Sequence, residues 1–147
     1  LLAFVSDKNM WVEKVISQLR HHLSLGEKYV RIHDSGDFFS TEYIAAWEEI
    51  AAAVPSMRFF APTRVYHLAE YLPALQSLNT RRNVTVRPSA LWIDQEADVV
   101  PGLSAPANVS RNHGTCPAVE KHGTCETAHC RKCWNAPEKT VTFRRHF

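Results

Sequence analysis

No apolar run in the 147 residues approaches the roughly 20 needed to cross a bilayer. No charged-then-apolar leader precedes a cleavage site either, so the sequence predicts a cytoplasmic chain with no membrane partner. Cysteine is absent before Cys116, and only one Cys-x2-Cys knuckle occurs, whereas a typical zinc ribbon pairs two. There is no dense basic run interleaved with aromatics, which makes nucleic acid the less favoured partner. The two methionines, Met10 and Met57, carry no functional signal.

What remains is ordinary in bulk. Hydrophobic residues make up 45% and charged residues 22%, and the length suffices for one sizeable core. The chain opens on Leu1 rather than Met, and the apolar run 1–5 finds no partner in the pattern. The expectation is therefore an α/β domain over residues 1–109, incomplete on its N-terminal side, and a metal-binding segment over 110–147 packed on it.

Periodicity supports that division. Val12, Val15, Ile16, Leu19 and Leu23 fall at helical spacing, so residues 10–23 read as an amphipathic helix stopped near Gly26. A β-prone run at 29–33 precedes the turn cluster Asp34, Ser35, Gly36 and Asp37. Ser40 or Thr41 can cap a second helix, with Ile44, Trp47, Ala51 and Val54 on its apolar face and Pro55 at its end. A strand at 57–61 follows. Next come a helix at 66–79, which Pro73 either kinks or splits, and a strand at 84–87. Strands recurring every 27 or 28 residues with helices between them predict a βαβαβ parallel sheet or partial barrel. Residues 94–118 lack a period and read as loop; 140–143 reads as a last strand before Arg144, Arg145 and His146. Trp47 and Phe59 read as core.

The cysteines carry the chemistry. Cys116, Cys125, Cys130 and Cys133 lie within 18 residues, and in a cytosolic chain such clustering points to a metal rather than to two disulfides. Cys125-x4-Cys130-x2-Cys133 matches the three-cysteine part of the plant-type ferredoxin spacing, with Cys116 as the remaining ligand. An iron–sulfur cluster, 4Fe–4S in the first instance, is thus preferred over Zn, which accepts the same four thiolates. His113, His122 and His129 can each replace a thiolate, although a solvent-exposed loop histidine is the blander reading. Gly114 and Gly123 can offer free backbone N–H groups to sulfur, and Trp134 can shield one side.

Charge follows the same division. Residues 1–109 carry ten Lys/Arg against twelve Asp/Glu, and 110–147 carry seven against three. The basic tail, with Lys121, Arg131 and Lys132, offsets the excess negative charge of a four-thiolate site.

Ligands of open parallel sheets sit outside the carboxyl ends of the strands. Those ends carry His33, Asp34, Ser35, Gly36 and Asp37, then Thr63 and Arg64, then Arg87 and Ser89. They form a candidate polar pocket in which His33 and Asp37 can move protons. Arg64 or Arg87 can hold a carboxylate or phosphate there.

Several of these motifs occur together in one family. Tyr-Val-Arg-Ile-His-Asp-Ser-Gly-Asp-Phe-Phe-Ser at 29–40, Tyr43, Trp47, Phe-Ala-Pro-Thr-Arg at 60–64 and Cys-Arg-Lys-Cys-Trp at 130–134 resemble an uncharacterised family of bacteriophage-encoded iron–sulfur proteins. The resemblance covers roughly residues 28–146. It implies phage origin, a role in electron transfer, cluster carriage or radical-type chemistry, and a redox or cluster-transfer partner protein in the host cytoplasm. The alternative is a non-enzymatic, zinc-stapled module that binds nucleic acid or protein. More distantly, the strand–helix rhythm with Ser35-Gly36-Asp37 after a strand is similar to part of a radical S-adenosylmethionine barrel. Those enzymes carry a Cys-x3-Cys-x2-Cys loop after the first strand, and this chain has none.

Overall fold

The computed structural model describes residues 2–120 and 123–145. Lys121, His122 and His146 lie outside the described residues.

The helices begin where the chain supplies caps. Helices α1 (Leu2–Ser6) and α2 (Lys8–Ser24) are joined at Asp7, whose side chain accepts from the Met10 amide at 2.9 Å and caps α2. Gly26, at φ +88°, takes the left-handed conformation just beyond α2. The apolar start of the chain has a partner after all: buried Phe4 meets Trp11, Phe39 and Tyr43 edge-on, with ring centres 5.1–5.6 Å apart.

Strand β1 (Tyr29–Arg31) leads through the turn to α3 (Thr41–Ala53), capped by Ser40, the first of the two residues the sequence offers, with Ser40 Oγ accepting from the Tyr43 amide at 3.1 Å. Strand β2 (Arg58–Thr63) follows, then a 3-10 turn (Val65–His67) and α4 (Leu72–Asn79). The expected third helix is thus two pieces, and Pro73 sits in the first turn of α4, where its missing N–H costs nothing. Strand β3 (Val84–Pro88) completes the unit. The strands are parallel in the order β1-β2-β3, the βαβαβ arrangement the period implies.

Two short pieces replace the expected loop at 94–118: strand β4 (Ala107–Ser110) and helix α5 (Pro117–Glu120). Helix α6 (Lys132–Asn135) and strand β5 (Val141–Arg144) follow. Strand β4 pairs with β5 in parallel, and a single parallel bridge from Ser89 to Ala107 links this pair to the end of β3. Strand β4 crosses the 109/110 division expected from composition. Among the described residues no helix is long and apolar enough to cross a membrane.

Strand alternation sorts the sheet into two faces. Phe59, Ala61, Val84 and Val86 turn toward the helices and join Ile44, Trp47, Ile50, Leu75 and Leu78 in the main core. Phe60, Thr85 and Arg87 turn the other way, where the cysteine segment covers them.

Candidate functional site

On that second face a small apolar cluster forms from Phe60, Cys116, Ala118, Cys133 and Val141, with Cys125 and Trp134 packed against it. All four cysteines are free. Cys116 and Cys133 are 5% and 6% exposed, while Cys125 and Cys130 are half-buried. Burial pushes the Cys133 thiol up to about 12, with Arg87 opposing and the other three cysteines reinforcing the rise. Burial also raises Cys125, aided by Cys116, while Arg131 and Arg31 pull it down. Among the described residues, however, no three Cys, His, Asp or Glu side chains are placed so that they could hold a metal ion.

Three devices position the segment. First, the Trp134 indole N–H donates to the Val30 carbonyl at 2.8 Å, and its ring meets Phe60 and Tyr29 edge-on, fixing α6 to β1. Second, Cys125 and Cys130 close a Schellman turn: Cys130 N–H donates to the Cys125 carbonyl at 2.9 Å and His129 N–H to the Glu126 carbonyl at 3.0 Å. His129 holds the left-handed position at φ +48°. Third, Arg87, 0% exposed, donates to the carbonyls of Ala105, Lys132, Cys133, Ala136 and Lys139 at 2.6–3.2 Å.

A guanidinium has five N–H donors, and all five of Arg87's are spent in this way. Arg87 therefore has none left for a ligand and lies outside the strand-end cleft where the sequence reading put it.

The glycine expectation also changes. The Gly123 amide is not free, since it donates to the Ala118 carbonyl at 2.8 Å. At Gly114 a Cβ would stand 2.8 Å from Glu120 Oε1 and 3.2 Å from the Arg144 amide nitrogen, so any larger residue needs both neighbours to shift slightly. His113 bonds Ser110 Oγ through Nδ1 at 3.0 Å, and Arg131 lies over the Tyr29 ring at 4.8 Å.

The strand ends do gather. Asp34, Ser35, Gly36, Asp37, Thr63 and Arg64 line one cleft of about 510 Å³, joined by Arg31 and Ser89, which site reasoning did not single out and did not assign a role, respectively. Asp37 organises its floor. Its Oδ1 accepts from Thr63 Oγ1 at 2.6 Å and the Phe38 amide at 2.8 Å, and its Oδ2 accepts from the Arg64 amide at 2.6 Å. His33 is set behind this wall, edge-on to Phe38 at 4.7 Å and tilted against Tyr43 at 5.8 Å. Neither of its buried ring nitrogens has a hydrogen-bond partner, and burial lowers its pKa against the opposing pull of Asp37.

The chain is similar to the Gene 88 protein of Mycobacterium phage L5, 49% identical over 45 residues, which are 31% of this chain and 19% of that protein. It is also similar to the Gene 88 protein of Mycobacterium phage D29, 44% identical over 52 residues, 35% of this chain and 22% of that protein. These matches span about a fifth of each relative's length and support the bacteriophage origin expected from the sequence. No solved structure matches the chain. The gene product 88 family model matches residues 1–136, a span that contains the cleft's strand-end turns and all four cysteines, and the chain belongs to that family.

Proposed function

We propose that this is an iron–sulfur protein of bacteriophage origin, acting in the host cytoplasm, with a cluster of the 4Fe–4S type held by Cys116, Cys125, Cys130 and Cys133. The observation that supports this most is the placement of four free thiols on the sheet face opposite the helices, two of them buried around Phe60 and Val141. The donor set fits the group by type, since clusters are held by thiolates. The set is not closed by the protein alone. In small thiolate sites metal binding and local folding are coupled, so Cys116, Cys125, Cys130 and Cys133 would have to close up as the group binds.

Once bound, the cluster supplies a one-electron couple. Phe60 and Trp134 pack beside Cys116 and Cys133 and would exclude water there, and Arg87, bonded to the Cys133 carbonyl, would add a fixed buried cation. Cys125 lines a second cleft of about 510 Å³ with Tyr29, Glu126 and Arg131, the side on which a redox or cluster-transfer partner has access. A zinc staple is the second reading, favoured by the small size of the core that the segment contributes.

Isolation without oxygen, with joint assay of iron, acid-labile sulfide and zinc, tests the proposal. Iron and sulfide near about four of each per chain are expected for the cubane type. Stoichiometric zinc alone, from cells supplied with iron, overturns the cluster and leaves the staple.

A further inference from the structure

We propose that the strand-end cleft binds a small organic phosphate, gripped by the forked ends of Arg31 and Arg64. Arg31 stands over Phe60, a member of the cysteine-side cluster, so the cleft borders that face, but the proposal does not require a metal there.

The two arginines approach the cleft from neighbouring parallel strands. Arg31 ends β1 and Arg64 follows β2 directly, and both line the same cavity. Each is pinned at Nε by a backbone carbonyl: Arg31 donates to the carbonyl of His33 at 2.7 Å, and Arg64 to that of Ala90 at 3.1 Å. Anchoring at Nε fixes the guanidinium plane and leaves the paired Nη groups, the end that grips an oxyanion in two places, without a hydrogen-bond partner among the described residues. Arg31 is held further by the Phe60 ring, 5.9 Å from its Cζ.

Two arginines at the ends of β4 and β5 are instead paired with acids. Arg111 pairs with Asp94 at 3.5 Å and Arg144 with Glu120 at 3.6 Å. Neither Arg31 nor Arg64 has a carboxylate partner among the described residues. Two acids line the cleft: Asp37 directs both oxygens to protein donors, as described above, while Asp34 is an exposed carboxylate that opposes an anion in part, so the grip rests on the two forks together.

The shape selects the ligand. Carboxyl ends of parallel strands are where such sheets bind small molecules. Two forks, with Ser35 and Ser89 in the same lining, suit the three terminal oxygens of a phosphate monoester better than the two of a carboxylate. The remaining wall includes Val109 and Phe143, apolar surface that a bare ion would not use, and a cavity of about 510 Å³ has room for an organic group.

Titration calorimetry on the 147-residue chain with AMP, adenosine and inorganic phosphate is the test. AMP is expected to bind, adenosine to bind at least about tenfold more weakly, and inorganic phosphate to compete with AMP. Arg31→Gln and Arg64→Gln should each weaken AMP by about tenfold or more. Both side chains are exposed, and an unchanged thermal midpoint checks that the variants fold. Equal binding of AMP and adenosine overturns the proposal, as does wild-type affinity in the double variant. So does no binding of AMP or phosphate up to about 10 mM. Binding of a single-stranded oligonucleotide that AMP does not displace also overturns it, in favour of an extended polyanion surface.

Discussion

Arg87 on β3 reaches across the sheet to the carbonyl oxygen of Cys133, Nε to O 3.2 Å, and so ties the parallel sheet to the single Cys-x2-Cys knuckle. Its other four donors go to four further carbonyls, and the residue has no exposed surface. Arg87→Met would remove all five bonds: the carbonyls of Lys132 and Ala136 keep the amides of Ala136 and Lys139, while those of Ala105, Cys133 and Lys139 lose this donor. The expected loss is about 3–5 kcal/mol in urea unfolding, with the Cys133 thiol becoming open to alkylation. Arg87→Lys keeps the charge but has three donors, so it should fall between the two. Wild-type stability in Arg87→Met would show that those carbonyls find other partners.

The buried His33 imidazole predicts a pH effect with a definite sign. Its folded pKa lies below the ordinary 6.5 because burial opposes the charged form. As pH falls through 6.5 the unfolded chain takes up the proton before the folded one does, so stability is full above 6.5 and declines below it, levelling out once the folded state protonates too. His33→Phe removes this slope and also two unpartnered nitrogens, each costing about 1–3 kcal/mol. The thermal midpoint of the variant should exceed that of the wild type, and by more at pH near 5.5 than near 7.5. A constant difference across that range would assign the slope to other groups.

The three parallel strands were legible because each is a short apolar run between turn residues, with a capped helix in every interval. Strand β4 was not. It buries Asn108 and Ser110, whose side chains bond the Ala97 amide and Asp94, so its sequence carries the polar content of a loop. Arg87 was misplaced for a related reason. A charged residue before a proline reads as ligand- or solvent-facing, and the carbonyls that consume it belong to residues 18 to 52 positions later. The cysteines were legible by type and spacing. Their position on the sheet depends on the contact of Trp134 with Val30 across 104 residues, which no local pattern encodes.

His129 occupies the position of a Schellman turn that glycine usually fills, at φ +48°. A side chain there costs about 1–2 kcal/mol, part of which glycine gives back through its larger unfolded-state entropy. His129→Gly should therefore stabilise the segment by roughly 0.5–1 kcal/mol, and His129→Val should destabilise it. The contrast between the two variants in thermal unfolding tests the turn. If both shift the midpoint alike, the loss of imidazole matters and the backbone does not.

Metal removal should loosen one part of the molecule and spare the other. The main core joins α2, α3 and α4 to one face of the sheet, while among the described residues the second cluster buries Phe60, Cys116, Ala118, Cys133 and Val141 alone. A group that crosslinks four thiolates adds most where the apolar core is smallest. Anaerobic protein stripped of metal should therefore lose amide-exchange protection across 113–136 and keep it in β1, β2, β3, α3 and α4. The Arg87 carbonyl contacts bind the segment to β3, so β3 is the sheet strand whose protection should fall first if the loosening spreads. Equal loss in α3 and 113–136 would mean that the two clusters open as one unit. No loss anywhere would mean that the fold does not depend on what the cysteines hold, and the zinc-staple reading would then fail.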